Sequence, residues 1–191
     1  MKTILVESER MVFGIQRLER TGAGLKIQRS ATIDRPVAEI YGFWRNPENL
    51  PSFMKHLESV TVLDKQTSYW VLRSSENHLW AWGAEIIEDR RNEIISWRSV
   101  ADANLQTAGS VRFSVSSDNQ GTVVTLSQSC RPAADRFMNA MVKVFERDVQ
   151  MSIGEDLSRL KTLLERQNGP IVMVPSHGIG KQIQRPIVLT E

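Results

Sequence analysis

Six short strand-like segments, with no helix between them, lead in this chain into one long amphipathic helical stretch. The segments are Leu57–Leu63, Ser68–Arg73, Leu79–Glu88, Glu93–Val100, Ser110–Ser116 and Thr122–Ser129. The gaps carry turn residues such as Asp64-Lys65-Gln66 and Asp118-Asn119-Gln120-Gly121. Connections that short join antiparallel neighbours, so the six predict a meander. A further strand precedes them over Leu25–Ile33, where Leu25, Ile27, Arg29, Ala31 and Ile33 share one face and Arg29 breaks its apolar character. Asp34-Arg35-Pro36 then signals a helix start, with a capping carboxylate and Pro in the first turn. Val37–Trp44 follows as a short amphipathic helix, stopped at Asn46-Pro47, and Asn49–Met54 reads as a second short helix or turn.

Pro132 ends the last strand, and from about Ala133 to Gln167 the period becomes helical. Met138, Met141, Val142, Phe145, Val149, Ile153, Leu157, Leu160 and Leu164 fall in steps of three and four along one stripe, with Gly154 marking a kink or a break. A seven-stranded antiparallel sheet with one apolar face needs a cover, and only this helix is long enough to give it. The expected class is therefore α+β, a curved sheet wrapped around a long C-terminal helix, with two short helices between strands 1 and 2. Residues 25–167 are expected to form that domain, 1–24 an N-terminal extension, and 168–191 a flexible C-terminal extension punctuated by Gly and Pro.

Charge narrows the function. The 191 residues carry 24 Lys+Arg against 22 Asp+Glu, a formal net charge of +2, with the signs interleaved. No basic run marks a phosphate-tracking surface, so no nucleic-acid partner is expected. Cys130 is the single cysteine, which fits a reducing cytoplasm. The opening MKTILVESER lacks a signal-peptide core, and no stretch approaches the ~20 apolar residues of a membrane span. A cytoplasmic protein without an integral membrane segment is expected.

Ile33-Asp34-Arg35-Pro36 running into Val37–Trp44, Asn49-Leu50-Pro51-Ser52-Phe53-Met54, Trp82–Glu88, Ile94–Ser99, Gly109–Phe113, Gly121–Leu126 and Glu155-Asp156-Leu157 occur in a characteristic order. In that order they resemble the polyketide cyclase/dehydrase family of the SRPBCC superfamily, which includes START-like and pollen-allergen-like proteins. The resemblance covers roughly Ile27 to Glu165 and implies a helix-grip fold. It does not imply one activity, because the superfamily holds lipid carriers, hormone receptors and ring-closing enzymes alike.

Strand parity groups Trp82 with Ala84, Ile95 with Trp97, and Val111 with Phe113. With Phe53 they are expected to form an apolar basin facing Met138, Met141, Val142 and Phe145 of the helix. Each residue taken singly is better explained as core. Together they point to a cavity for a small hydrophobic ligand, a lipid, isoprenoid or polyketide-like molecule. His56, just after the short helices, and Arg29, on the apolar parity of its strand, are the candidates for polarising a carbonyl. No nucleophile elbow, phosphate loop or metal-ligand spacing is found, so no catalytic constellation, cofactor or metal is expected. Two alternatives stand beside ligand binding: a cyclase/dehydrase-type enzyme that shapes its substrate, and an interaction domain with a filled core. A homo-oligomer or a protein partner stays open.

Overall fold

Successive residues of a strand project to opposite faces, so a half-buried strand buries every second side chain. In Ser68-Tyr69-Trp70-Val71-Leu72-Arg73, Ser68, Trp70 and Leu72 are buried while Tyr69 and Arg73 are exposed. The computed structural model describes residues 13–21, 24–100, 106–131 and 136–166. Within them eight strands form one sheet, antiparallel throughout. They are β1 (Phe13–Thr21), β2 (Gly24–Ile33), β3 (Leu57–Val62), β4 (Thr67–Arg73), β5 (Leu79–Arg90), β6 (Ile94–Ser99), β7 (Gln106–Val115) and β8 (Thr122–Arg131). Helix α1 (Val37–Arg45) and a 3-10 helix (Pro47–Ser52) lie between β2 and β3, and α2 (Arg136–Glu165) follows β8.

The spatial order is β1-β2-β8-β7-β6-β5-β4-β3. The meander β3–β8 thus turns back on β2, which pairs with β8 from Leu25↔Cys130 to Ile33↔Thr122. The seven expected strands are β2–β8. Phe13–Thr21 adds an eighth at the edge, in register with β2 from Phe13↔Ala31 to Thr21↔Gly24. Hairpin turns are closed by Asn77, Asn92 and Asn119 with positive φ, a conformation asparagine tolerates better than most residues. Gly121 (φ 99°) cannot be replaced, because a Cβ there would stand 2.3 Å from the backbone oxygen of Ile33.

Helix α2 is one continuous element that runs through Gly154, so of the expected kink or break there is no break. Its residues Ile153, Leu157, Leu160 and Leu164 are at most 2 % exposed. Their spacing of four, three and four makes one stripe, and each burial stabilises by about 2 kcal/mol. Asp34 does not cap α1. Pro36 holds the N-cap position with no side-chain hydrogen bond, and the Asp34 N–H donates instead to Glu165 Oε1 at 2.7 Å. Lys161 Nζ donates to the Thr32 backbone oxygen, and Arg35 Nε to that of Leu164. The β2–α1 turn is spent on fastening the end of α2. Val115, on the parity of Val111 and Phe113, is 60 % exposed and leaves that set at the strand end.

A candidate ligand cavity under the long helix

Asp148, Ser152 and Asp156 recur every four residues along α2 and therefore share one face. All three are buried. Asp148 is fully engaged: Ser75 donates its N–H to Oδ2 at 2.8 Å and its hydroxyl to Oδ1 at 2.7 Å. That bond pair ties the β4–β5 hairpin tip to the helix, and Arg147 adds a contact to Glu76. Asp156 holds residues 53–57, the lid of the site, which follow the 3-10 helix. The Lys55 N–H and Arg159 Nη2 both donate to its Oδ1, and Arg159 Nε donates to the Phe53 backbone oxygen at 2.9 Å.

Between these two fastenings and the sheet lies a cavity of about 60 Å³. At about 10–15 Å³ per water it has room for about four to six waters. Trp70, Trp82, Trp97 and Leu72 floor it from the sheet, and Asp148, Ser152 and Asp156 face them from α2. Met54, His56 and Leu57 close the lid side, while Ile27, Thr107, Ala108, Gln128, Ser129 and Cys130 come from β2, β7 and β8. The indoles are arranged with care. Trp70 stacks on Trp82 (centroids 6.1 Å apart) and on Trp97 (5.9 Å). Its Nε1 donates to Ser68 Oγ at 2.8 Å. Trp97 has room only because residue 109 is glycine, since a Cβ there would lie 2.4 Å from Trp97 Cζ2.

Two of the lining residues, Asp148 and Asp156, are carboxylates and none is lysine or arginine, but each carboxylate is paired from behind the wall, Asp148 with Arg147 and Asp156 with Arg159. Burial pushes the Asp156 carboxyl above its ordinary value; the bonds from Arg159 and Lys55 and the charge of His56 oppose the shift without cancelling it. Both donors bind the same oxygen, Oδ1.

Of the residues expected from sequence, Trp82 and Trp97 stand in this wall. Ala84 and Ile95 line a second cavity of about 20 Å³ on the far side of Trp97. Val111, Phe113 and Phe53 are core: Phe113 packs edge-on against Tyr41 and Trp44, and Phe53 against Phe43 and Trp44. Met138, Met141, Val142 and Phe145 belong to α2, but their side chains lie outside the described residues. His56 is half-buried and lines the cavity beside Asp156. Arg29 does turn inward and is 9 % exposed, yet its Nη1 donates to the neighbouring Gln28 backbone oxygen and it stands outside the wall. Asp148, Ser152 and Asp156 were not expected.

An antiparallel sheet curled over a long C-terminal helix, with an internal cavity between them, defines a helix-grip domain. Residues 33–157 match the family described as polyketide cyclase/dehydrase and lipid transport, and the chain belongs to that family. No curated protein matches the sequence. Among solved structures, DR_A0006 from Deinococcus radiodurans is 28 % identical, with 73 % of this chain and 97 % of that one covered and a TM-score of 0.60. TTHA0849 from Thermus thermophilus is 19 % identical (74 % and 99 % covered, TM-score 0.62). The Zhui aromatase/cyclase from a Streptomyces species is 16 % identical (74 % and 93 % covered, TM-score 0.62). The last two are similar in fold. Among the described residues no helix is long and apolar enough to cross a membrane.

Proposed function

We propose that this chain binds a small, largely apolar and uncharged ligand, lipid-, isoprenoid- or polyketide-like, between the sheet and α2. The observation that carries this reading is the cavity itself, with an indole floor and a short polar stripe opposite it. An apolar wall supplies affinity through burial, and a few fixed polar groups supply orientation. The wall adds selectivity: no lysine or arginine lines it, and Arg147 and Arg159 behind it are already paired with Asp148 and Asp156, so a carboxylate ligand would be desolvated without a free cationic partner and a hydroxyl or carbonyl head group is preferred. A ring-bearing ligand needs more than the present volume, and Met54 in the wall is a side chain suited to yield. The single cysteine, buried as Cys130, supports placing the protein in the cytoplasm as part of the same proposal.

Titration with the neutral fluorophore N-phenyl-1-naphthylamine tests it. Saturable binding is expected, with 1-decanol displacing the probe about ten-fold better than decanoate at pH 7. Ala108→Trp, which fills the wall, is expected to abolish both. Unchanged binding in the folded variant would contradict this location.

A second reading has one observation behind it: Asp156, with its raised carboxyl pKa, and His56 share the cavity. A carboxyl that holds its proton closer to neutrality can deliver it to a carbonyl or a departing hydroxyl, the chemistry of a cyclase/dehydrase on a folded polyketide-like chain. Turnover lost in Asp156→Asn while probe binding persists would favour the enzyme; binding with no turnover in the parent protein would favour the carrier. The cavity argues against a domain with a filled core.

A further inference from the structure

Helix α2 carries the hydroxyl side chains Ser152, Ser158 and Thr162. Ser158 Oγ donates to the Gly154 backbone oxygen at 3.1 Å, and Thr162 Oγ1 to that of Ser158 at 3.0 Å. Turning back on the carbonyl four residues earlier is an ordinary refuge for a hydroxyl inside a helix. Ser152 does not take it. Its hydroxyl has no hydrogen-bond partner among the described residues, although the residue is only 7 % exposed. A buried polar group left in that state is uncommon in a native protein and calls for something that pairs with it.

Position narrows what that partner is. Ser152 stands between Asp148 and Asp156 in the wall of the 60 Å³ cavity. Both neighbours are occupied, Asp148 by Ser75 and Asp156 by Lys55 and Arg159. From the sheet, Ser129 Oγ donates to the Ala108 backbone oxygen. Thr107 Oγ1 has no partner but is wholly enclosed, out of reach of anything in the cavity. The side chains of His56 and Gln128 are only half-buried, within reach of solvent. Among the described residues, Ser152 is thus the buried hydroxyl of the wall that is neither enclosed nor engaged, and the indoles of Trp70, Trp82 and Trp97 lie across from it.

We propose that Ser152 is the specificity-determining residue of the cavity. Its O–H donates to an uncharged acceptor oxygen, carbonyl or hydroxyl, on a molecule whose apolar body rests on the indole floor. Asp148 and Asp156 fasten the helix on either side, and Ser152 serves the ligand. The inference rests on the ligand-binding reading above and deepens it by assigning the side chain that selects the head group. It also gives the empty protein a measurable defect. Alanine is the better helix former and leaves no buried hydroxyl to satisfy, so serine here is a cost that bound ligand offsets.

Displacement of N-phenyl-1-naphthylamine by 2-heptanone and by 2-methyl-1-heptene, in which a methylene group replaces the carbonyl oxygen, tests it. The ketone-to-alkene affinity ratio is expected to fall about five-fold in Ser152→Ala, the worth of one ordinary hydrogen bond. Comparing that ratio between proteins cancels the unequal hydration of the two ligands. Ser158→Ala removes a hydroxyl of the same helix outside the cavity wall and is expected to leave the ratio unchanged. Without ligand, Ser152→Ala is expected to melt no lower than the parent protein. An unchanged ratio in Ser152→Ala, as for a hydroxyl that meets water only, overturns the inference. So does a melting temperature below the parent's, which would show the hydroxyl already engaged in the fold. Probe binding that neither compound displaces sinks this assignment alone, whereas failure of the probe to bind removes the ligand-binding reading as well.

Discussion

Asp156 joins three things in one side chain: it anchors the lid, it faces the cavity, and it binds its proton more tightly in the folded protein than in the open chain. The sign of the last effect follows from linkage. A raised folded pKa contributes stability that is fully present below the unfolded carboxylate value and is lost as pH rises through the folded one. Asp64 and Asp118, held low by hydrogen bonds from Thr67 and Ser116, act in the opposite direction. Comparing the parent with Asp156→Asn cancels them. Thermal unfolding between pH 4 and 8 is expected to show the parent losing stability relative to Asp156→Asn as pH rises. A difference independent of pH would mean that burial does not shift this carboxyl. The sequence held a faint trace of the stripe. Asp148, Ser152 and Asp156 each precede a member of the apolar series Val149, Ile153 and Leu157, about 100° around the helix. Carboxylates there are ordinarily solvated at the margin of a buried face, and only the docked sheet buries them.

At the scale of elements, α2 is fastened at three points: Asp148 to the β4–β5 hairpin, Asp156 and Arg159 to the lid, and Lys161 and Glu165 to the β2–α1 turn. The cavity sits between the first two. Asp148→Ala removes two hydrogen bonds from Ser75 to a charged acceptor and is expected to cost about 2 kcal/mol in urea unfolding. Because the hairpin tip then loosens over the cavity, probe affinity is expected to fall with it; an undiminished affinity would show that the first fastening does not shape the site. Most of these elements were legible in the sequence, because strand alternation and the helical stripe are strong periodic signals at Ser68–Arg73 or Ile153–Leu164. The edge strand β1 was not. Phe13–Thr21 interleaves Arg17, Glu19 and Arg20 with its apolar residues, and pairing with β2 overrides the weak pattern. The Asp34 cap failed because Pro36, which has no capping side chain, takes the N-cap position two residues further on.

Across the whole molecule, family and fold stand on different ground from ligand and mechanism. Residues 33–157 carry the family, and the curled sheet over α2 carries the helix-grip architecture. Sequence parity put Trp82 and Trp97 on the concave face, but it could not separate cavity from core, because Val111 and Phe113 share that face and pack solidly. That division depends on which side chains the lid covers. Tyr41, Trp44 and Phe53 arrive from other elements to fill one end and leave the other hollow. The central claim is that the hollow end holds a neutral, largely apolar molecule. Native mass spectrometry of the purified protein, set beside its denatured mass, tests it most directly. The expected result is an excess mass that vanishes on denaturation, belongs to an uncharged apolar compound, and is missing from Ala108→Trp. An excess mass retained in the folded Ala108→Trp variant, or an anionic compound in its place, would contradict the account.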